Sequence, residues 1–197
     1  MHDIALFFLL PPFADWEGAY LASYLTWQEA DKPFDVKTVS LSRDPIKSIG
    51  GFTILPDYAL EDIPSDYGAL ILIGGDSWRT PDAQYVVDLV KSTRERGILI
   101  AAICDSVTFL AKEGFLNEHK HTGNNLEDIR AYAGEAYTNT QNFLNEPAVV
   151  DGNLITAPGT APLEFAKLVL ETLQVEKPVN IATWYNENKG CKIEADK

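Results

Sequence analysis

Cysteine occurs only twice in the 197 residues, as Cys104 and Cys191. Two cysteines make no disulfide framework, which points to a reducing, cytoplasmic compartment. Histidine occurs three times, as His2, His119 and His121. His2 lies beside the N-terminus, so a Cys–His dyad has to use His119 or His121. His119-x-His121 with scattered acids lacks the ligand spacing of a metal site, and neither metal nor cofactor is expected. Positive charge is also short: 16 Lys and Arg face 29 Asp and Glu, for a net charge of −13. That deficit argues against nucleic acid and anionic membrane surfaces as partners, since both require basic patches. The opening apolar run, residues 4–10, is far shorter than the ~20 residues of a membrane span and lacks a basic segment or a small-residue cleavage site. It is expected to be a first buried strand.

What the chain does have is an alternation of aliphatic runs and helical patterns. Strands are predicted at residues 4–10, 34–41, 50–56, 69–73 and 98–103, and helices at 16–30, 81–96, 107–112 and 162–173. Residues 148–156 have the signature of a hairpin, with Asp151-Gly152 at the turn. Continuous aliphatic strands separated by helices predict a mostly parallel sheet covered on both faces. The expected fold is therefore α/β, a three-layer α/β/α sandwich with a doubly wound, flavodoxin-like sheet. A single domain is expected over 1–197, with its core at 4–173 and a C-terminal extension at 174–197. Cys191 belongs to that extension.

Cys104 is the residue on which a functional reading turns. It ends the run 97–103 and precedes a helical pattern, so it sits at a strand-to-helix turn, the logic of a nucleophile elbow. Ala102 and Ser106, two residues to either side, are small, as a crowded turn requires. A helix N-terminus favours the thiolate. Position alone leaves a second reading open, that of a buried structural cysteine. Three other strand ends should gather nearby. Glu17 follows the first strand and, taken alone, suits a solvated acid at a helix start. Gly74-Gly75 follows residues 69–73. With the N–H of Asp105, these glycines offer an oxyanion hole. Trp16, Gly74 and Trp78, with Phe13, are expected to wall a substrate pocket.

These segments, in this order and spacing, resemble the ThiJ/PfpI superfamily over residues 4–173. The carriers are Glu17, Leu72-Ile73-Gly74-Gly75, Ala101-Ala102-Ile103-Cys104, residues 110–116 and residues 151–159. The resemblance implies Cys104 as the nucleophile and Glu17 as the carboxyl that hydrogen-bonds it. It implies Gly75 and Asp105 as backbone oxyanion donors, a small-molecule or peptide substrate, and a homodimer.

The match departs from the family at two places. Protease-like members carry His directly after the cysteine, where this chain has Asp105. Others supply His from the loop after the elbow helix, where Gly123 or Asn124 falls here. His121 is then the candidate base. A carboxylate at residue 105, ~5 Å from the sulfur, would disfavour the thiolate by up to ~3 kcal/mol at an effective dielectric of 20. Activation requires Asp105 to point away, or a cation such as Arg79 or Lys120 to stand beside it. If Glu17 touches the sulfur, it is expected to be protonated and to donate a hydrogen bond there. The first functional expectation is a slow cysteine-dependent hydrolase of the protease or amidase type. The alternatives are a glyoxalase- or deglycase-type enzyme acting on reactive aldehydes, and a thiol-based oxidative-stress sensor.

Overall fold

The computed structural model describes residues 3–27 and 34–190. Apolar side chains alternate along the first strand, β1 (Asp3–Leu9). Ala5, Phe7 and Leu9 enter one core cluster, and Leu6 and Phe8 enter the other. Both faces of β1 are therefore buried, as period-two alternation requires of a central strand. The same holds for β6 (Ala69–Ile73) and β7 (Leu99–Ile103), in which every residue is buried.

The remaining strands are β2 (Phe34–Ser40), β5 (Tyr58–Ala59), β8 (Val149–Asp151) and β9 (Leu154–Ala157). They complete a seven-stranded sheet in the order β5-β2-β1-β6-β7-β9-β8. All its pairs are parallel except β8 with β9. Helices α1 (Asp15–Trp27), α5 (Pro162–Thr172) and α6 (Pro178–Asn188) cover one face. Helices α2 (Val87–Glu95), α3 (Asp105–Lys112) and α4 (Leu126–Ala133) cover the other. The expected three-layer α/β/α sandwich with its doubly wound sheet is the fold observed. A small antiparallel hairpin, β3 (Ile46–Lys47) with β4 (Thr53–Ile54), stands outside the main sheet.

Several boundaries differ from the sequence reading. The helix expected over 81–96 opens as a 3-10 segment, Pro81–Val86, before α2 begins. Ala83 and Val86 are both buried, and the three-residue period of a 3-10 turn places them on one face. In the hairpin of β8 and β9, Asp151 pairs with Leu154, so the turn residues are Gly152-Asn153, with Gly152 at φ 61°. Helices α4 and α6 were not anticipated. Residues 28–30 of the expected first helix, and Cys191, lie outside the described residues.

The chain order places β1 next to both β2 and β6, so the winding reverses between β1 and β6. Ligands of such sheets bind beyond the carboxyl ends of the strands near this reversal. The loops after β1, β6, β7 and β9 all open there.

Candidate active site

Cys104 follows the last residue of β7 and caps α3, with φ 65° and ψ −130°. A non-glycine residue in this region carries strain of about 1–3 kcal/mol, so its surroundings must hold it. Its own N–H donates to Ala157 O at 2.9 Å. The Ile103 N–H donates to Ser106 Oγ at 2.9 Å, and that hydroxyl lies 2.9 Å from Leu72 O and 2.8 Å from Ile103 O. Ser106 is fully buried, so its small side chain stitches the elbow to β6. Cys104 itself is half-buried.

Glu17, in the first turn of α1, is completely buried. Its Oε2 accepts the Gly74 N–H at 2.8 Å, while Oε1 is a buried oxygen with no ordinary hydrogen-bond partner among the described residues. A Cβ placed on Gly159 would lie 2.7 Å from Glu17 Oε1 and 3.0 Å from Cys104 Sγ, so both atoms border the same small space. A Cβ on Gly74 would collide with Glu17 Oε2 and with Cys104 Cβ. Glycine at both positions is what allows carboxyl and thiol to close on each other.

Burial is the main cause that pushes the Glu17 carboxyl up to about 7, and the charge of Asp105 adds to it. Hydrogen bonds from Cys104 and the Gly74 amide oppose the rise. Burial, then the charge of Glu17, pushes the Cys104 thiol up to about 12, against a hydrogen bond from Asn124. The two groups cannot both be ionised cheaply, and between about pH 7 and about pH 12 the pair keeps a single proton.

Asp105 sits at the start of α3 and is 7% exposed. Arg79, in the 3-10 turn Asp76–Arg79 after β6, grips it with Nε on Oδ2 and Nη2 on Oδ1, each at 2.9 Å. Of the two cations considered from sequence, Arg79 is the one that pairs with this carboxylate. Arg79 also pairs with Asp128 of α4, whose carboxyl it holds below the usual range.

His121 is not placed to serve Cys104. It is fully buried, with Nδ1 2.8 Å from His119 O and Nε2 2.6 Å from the Tyr137 hydroxyl. A carbonyl only accepts, so Nδ1 carries the proton and Nε2 accepts from Tyr137. Burial lowers its pKa and keeps the ring neutral. The same segment instead delivers Asn124, whose Nδ2 donates to Cys104 Sγ at 3.2 Å. Its Oδ1 accepts the Gly159 N–H at 2.8 Å. The sequence spacing had left Gly123 and Asn124 open for this place, and the side chain of Asn124 fills it.

The remaining predicted residues divide. Trp16 is 48% exposed and donates through Nε1 to Gly159 O at 3.1 Å, at the rim of the site. Trp78 corrects the pocket reading. It is core, 1% exposed, bound to Ile73 O and packed against Phe8 and Phe109. Gly75 lies at φ 145°, and a Cβ there would run into Pro12 O. Among the described residues, no protein acceptor takes the N–H of Gly75 or of Asp105. The described residues contain no cluster of three or more His, Cys, Asp or Glu able to hold a metal ion.

A strained thiol on an elbow, a buried carboxyl and two free amides at the carboxyl edge of a doubly wound sheet describe a cysteine-centred α/β protein. The family model described as DJ-1/PfpI matches residues 4–172, and the chain belongs to that family. It is 46% identical over 178 residues to the uncharacterized protease YdeA of Bacillus subtilis, covering 90% of this chain and 86% of that one. It is 30% identical over 143 residues to the glutathione-independent glyoxalase DJR-1.2 of Caenorhabditis elegans, covering 71% and 73% of the two chains. The crystal structure of a ThiJ/PfpI family protein from Bacillus anthracis superposes with a TM-score of 0.91 at 34% identity, over 98% of this chain and 92% of that one.

Proposed function

We propose that the protein is a cysteine-dependent enzyme attacking carbonyl carbon, and that its substrate is a small 2-oxoaldehyde of the methylglyoxal type. The observation that carries this reading is the buried Glu17 carboxyl, whose Oε1 borders the Cys104 sulfur and, among the described residues, has no other hydrogen-bond partner. The Cys104 sulfur adds to the aldehyde carbon, forming a C–S bond, and the proton held by the Cys104–Glu17 pair passes to the former carbonyl oxygen, giving a hemithioacetal and leaving Glu17 ionised. Ionised Glu17 takes the proton from that carbon, giving an enediolate, and returns it to the neighbouring carbon. The product is a thioester of a 2-hydroxy acid, which water cleaves to regenerate the thiol. The net change is addition of water, so no external oxidant or reductant is needed. The Gly75 and Asp105 amides are the donors proposed for the oxyanions.

One carboxyl with a pKa near 7 suits proton transfer between adjacent carbons. A peptide substrate asks for more, because an amine must leave as a protonated group and, among the described residues, no imidazole is hydrogen-bonded to Cys104 to supply that proton. The hydrolase reading retains the support of the protease names carried by relatives 46% and 36% identical. We further propose a cytoplasmic homodimer. Ile49, Phe52 and Leu55 around the β3–β4 hairpin are 50%, 67% and 69% exposed, beside the half-exposed Trp16.

The test is incubation with methylglyoxal, with lactate followed in parallel with cleavage of unstructured peptide substrates. Lactate formation is expected, abolished by Cys104→Ser and reduced about 10²- to 10⁴-fold by Glu17→Gln. Peptide cleavage dependent on Cys104, with no lactate, would replace this reading with the hydrolase.

A further inference from the structure

We infer that Asn124 is a catalytic residue of this site, the fixed hydrogen-bond donor to the Cys104 sulfur, and that Arg79 is the positioning residue that holds it there and neutralises Asp105. The orientation of the Asn124 amide is determined by its partners. The Gly159 N–H can only donate, so the oxygen must face it, at 2.8 Å, and the NH₂ group must face the sulfur, at 3.2 Å. A flipped amide would set donor against donor on Gly159 and oxygen against a thiolate. Unlike an imidazole, this donor does not titrate, so its contact with the sulfur survives across the pH range. It stabilises negative charge on sulfur and can accept no proton, which leaves Glu17 as the site's proton carrier.

One guanidinium holds this arrangement in place. Asn125, the next residue, caps α4 by accepting the Asp128 N–H at 3.0 Å. Arg79 joins Asp128 on α4 to Asp105, the residue after Cys104. The Tyr132 ring of α4 lies 5.1 Å from the guanidinium carbon, adding a cation–π contact on the same helix. The elbow and the Asn124 loop are thus fastened through a common side chain. Without Arg79, Asp105 would be a nearly buried, uncompensated carboxylate beside the sulfur. The charged groups acting on the sulfur are Glu17 of α1 and Asp105 of α3, the latter paired with Arg79 and through it with Asp128 of α4.

The experiment measures the second-order rate of Cys104 alkylation by iodoacetamide, a neutral reagent, from pH 5 to 10 in a Cys191→Ser background. Loss of one hydrogen bond to a charged acceptor should raise the apparent thiol pKa of Asn124→Ala by about one to two units, slowing alkylation about 10- to 100-fold at neutral pH. Arg79→Met should slow it at least about tenfold, and Arg79→Lys should recover part of the loss. Asp105→Asn combined with Arg79→Met should restore the rate, which a purely structural role for Arg79 would not allow. Should Arg79→Met fail to fold, Asp105→Asn alone decides the electrostatic claim, because it should accelerate alkylation. An Asn124→Ala profile that superimposes on the parent's would overturn the role of Asn124. Failure of Asp105→Asn to rescue or accelerate would overturn that of Arg79. No substrate enters these rates, so the outcome is independent of the aldehyde reading.

Discussion

Glu17 shows how a single residue trades stability for chemistry. Its carboxyl is fully buried, and its pKa stands at about 7 against an ordinary 4.5. Between those two values the folded chain binds a proton that the unfolded chain has already released. Stability therefore falls as pH rises through the window from 4.5 to 7, and the deficit is complete above it. Glutamine can accept the Gly74 N–H and face the sulfur without any charge. Glu17→Gln is expected to stabilise the protein at pH 8 by up to about 3 kcal/mol, with the gain vanishing near pH 4. Urea unfolding at the two pH values checks this. Equal stability of parent and variant at pH 8 would mean that the carboxyl carries no penalty and that its pKa is ordinary. Asn124 marks where residue-level reading stopped. Spacing narrowed the position to two neighbours, but only the fold shows which side chain turns to the sulfur.

At the scale of elements, legibility followed burial. The runs at 69–73 and 98–103 were readable because a central parallel strand is buried on both faces and must be continuously aliphatic. α4 was missed because it is only eight residues long, with Ile129 and Ala133 its buried positions. α6 was missed because Ile181 is its one buried residue, which leaves almost no periodic signal in a polar segment. Yet α6 matters to the site, since its Trp184 packs edge-on against Tyr24 of α1, the helix that carries Glu17. The β3–β4 hairpin also left little signal, because each of its strands is two residues long. The Ile49 N–H binds Phe13 O at 2.8 Å and the Gly50 N–H binds Asp15 Oδ2 at 2.7 Å, which fixes the tip beside α1 and Trp16. If this apolar element is the dimer contact, the parent should sediment at twice the 21.8 kDa chain mass. Phe52→Glu should sediment as the monomer. A parent that is monomeric at micromolar concentration would exclude that contact.

The site belongs to the molecule as a whole rather than to any one segment. Cys104 comes from the end of β7, Glu17 from the helix after β1, Gly74 and Gly75 from the end of β6, and Asn124 and Gly159 from loops after α3 and β9. The parallel sheet brings them together because every β-α turn of a doubly wound fold opens on the same edge. Much of this gathering was visible in the order of the motifs along the chain. The proton economy was legible only in part: a protonated Glu17 at the sulfur was expected, but the loss of His121 depends on which groups bury each other. Glu17 Oε1 borders the Cys104 sulfur and has no ordinary hydrogen-bond partner among the described residues, and His121 spends both ring nitrogens on His119 and Tyr137. The central claim is that the buried thiol and carboxyl are not ionised together, so that above neutral pH the pair keeps one proton and the charge of Glu17 holds the thiol up. Its most direct test is the pH profile of Cys104 alkylation in the Cys191→Ser background, with and without Glu17→Gln. The account predicts a parent thiol whose reactivity rises only well above the ordinary range, and a Glu17→Gln variant whose rise moves down toward it because the opposing charge is gone. A single rise near the ordinary thiol value of about 8.5, the same in both proteins, would contradict it.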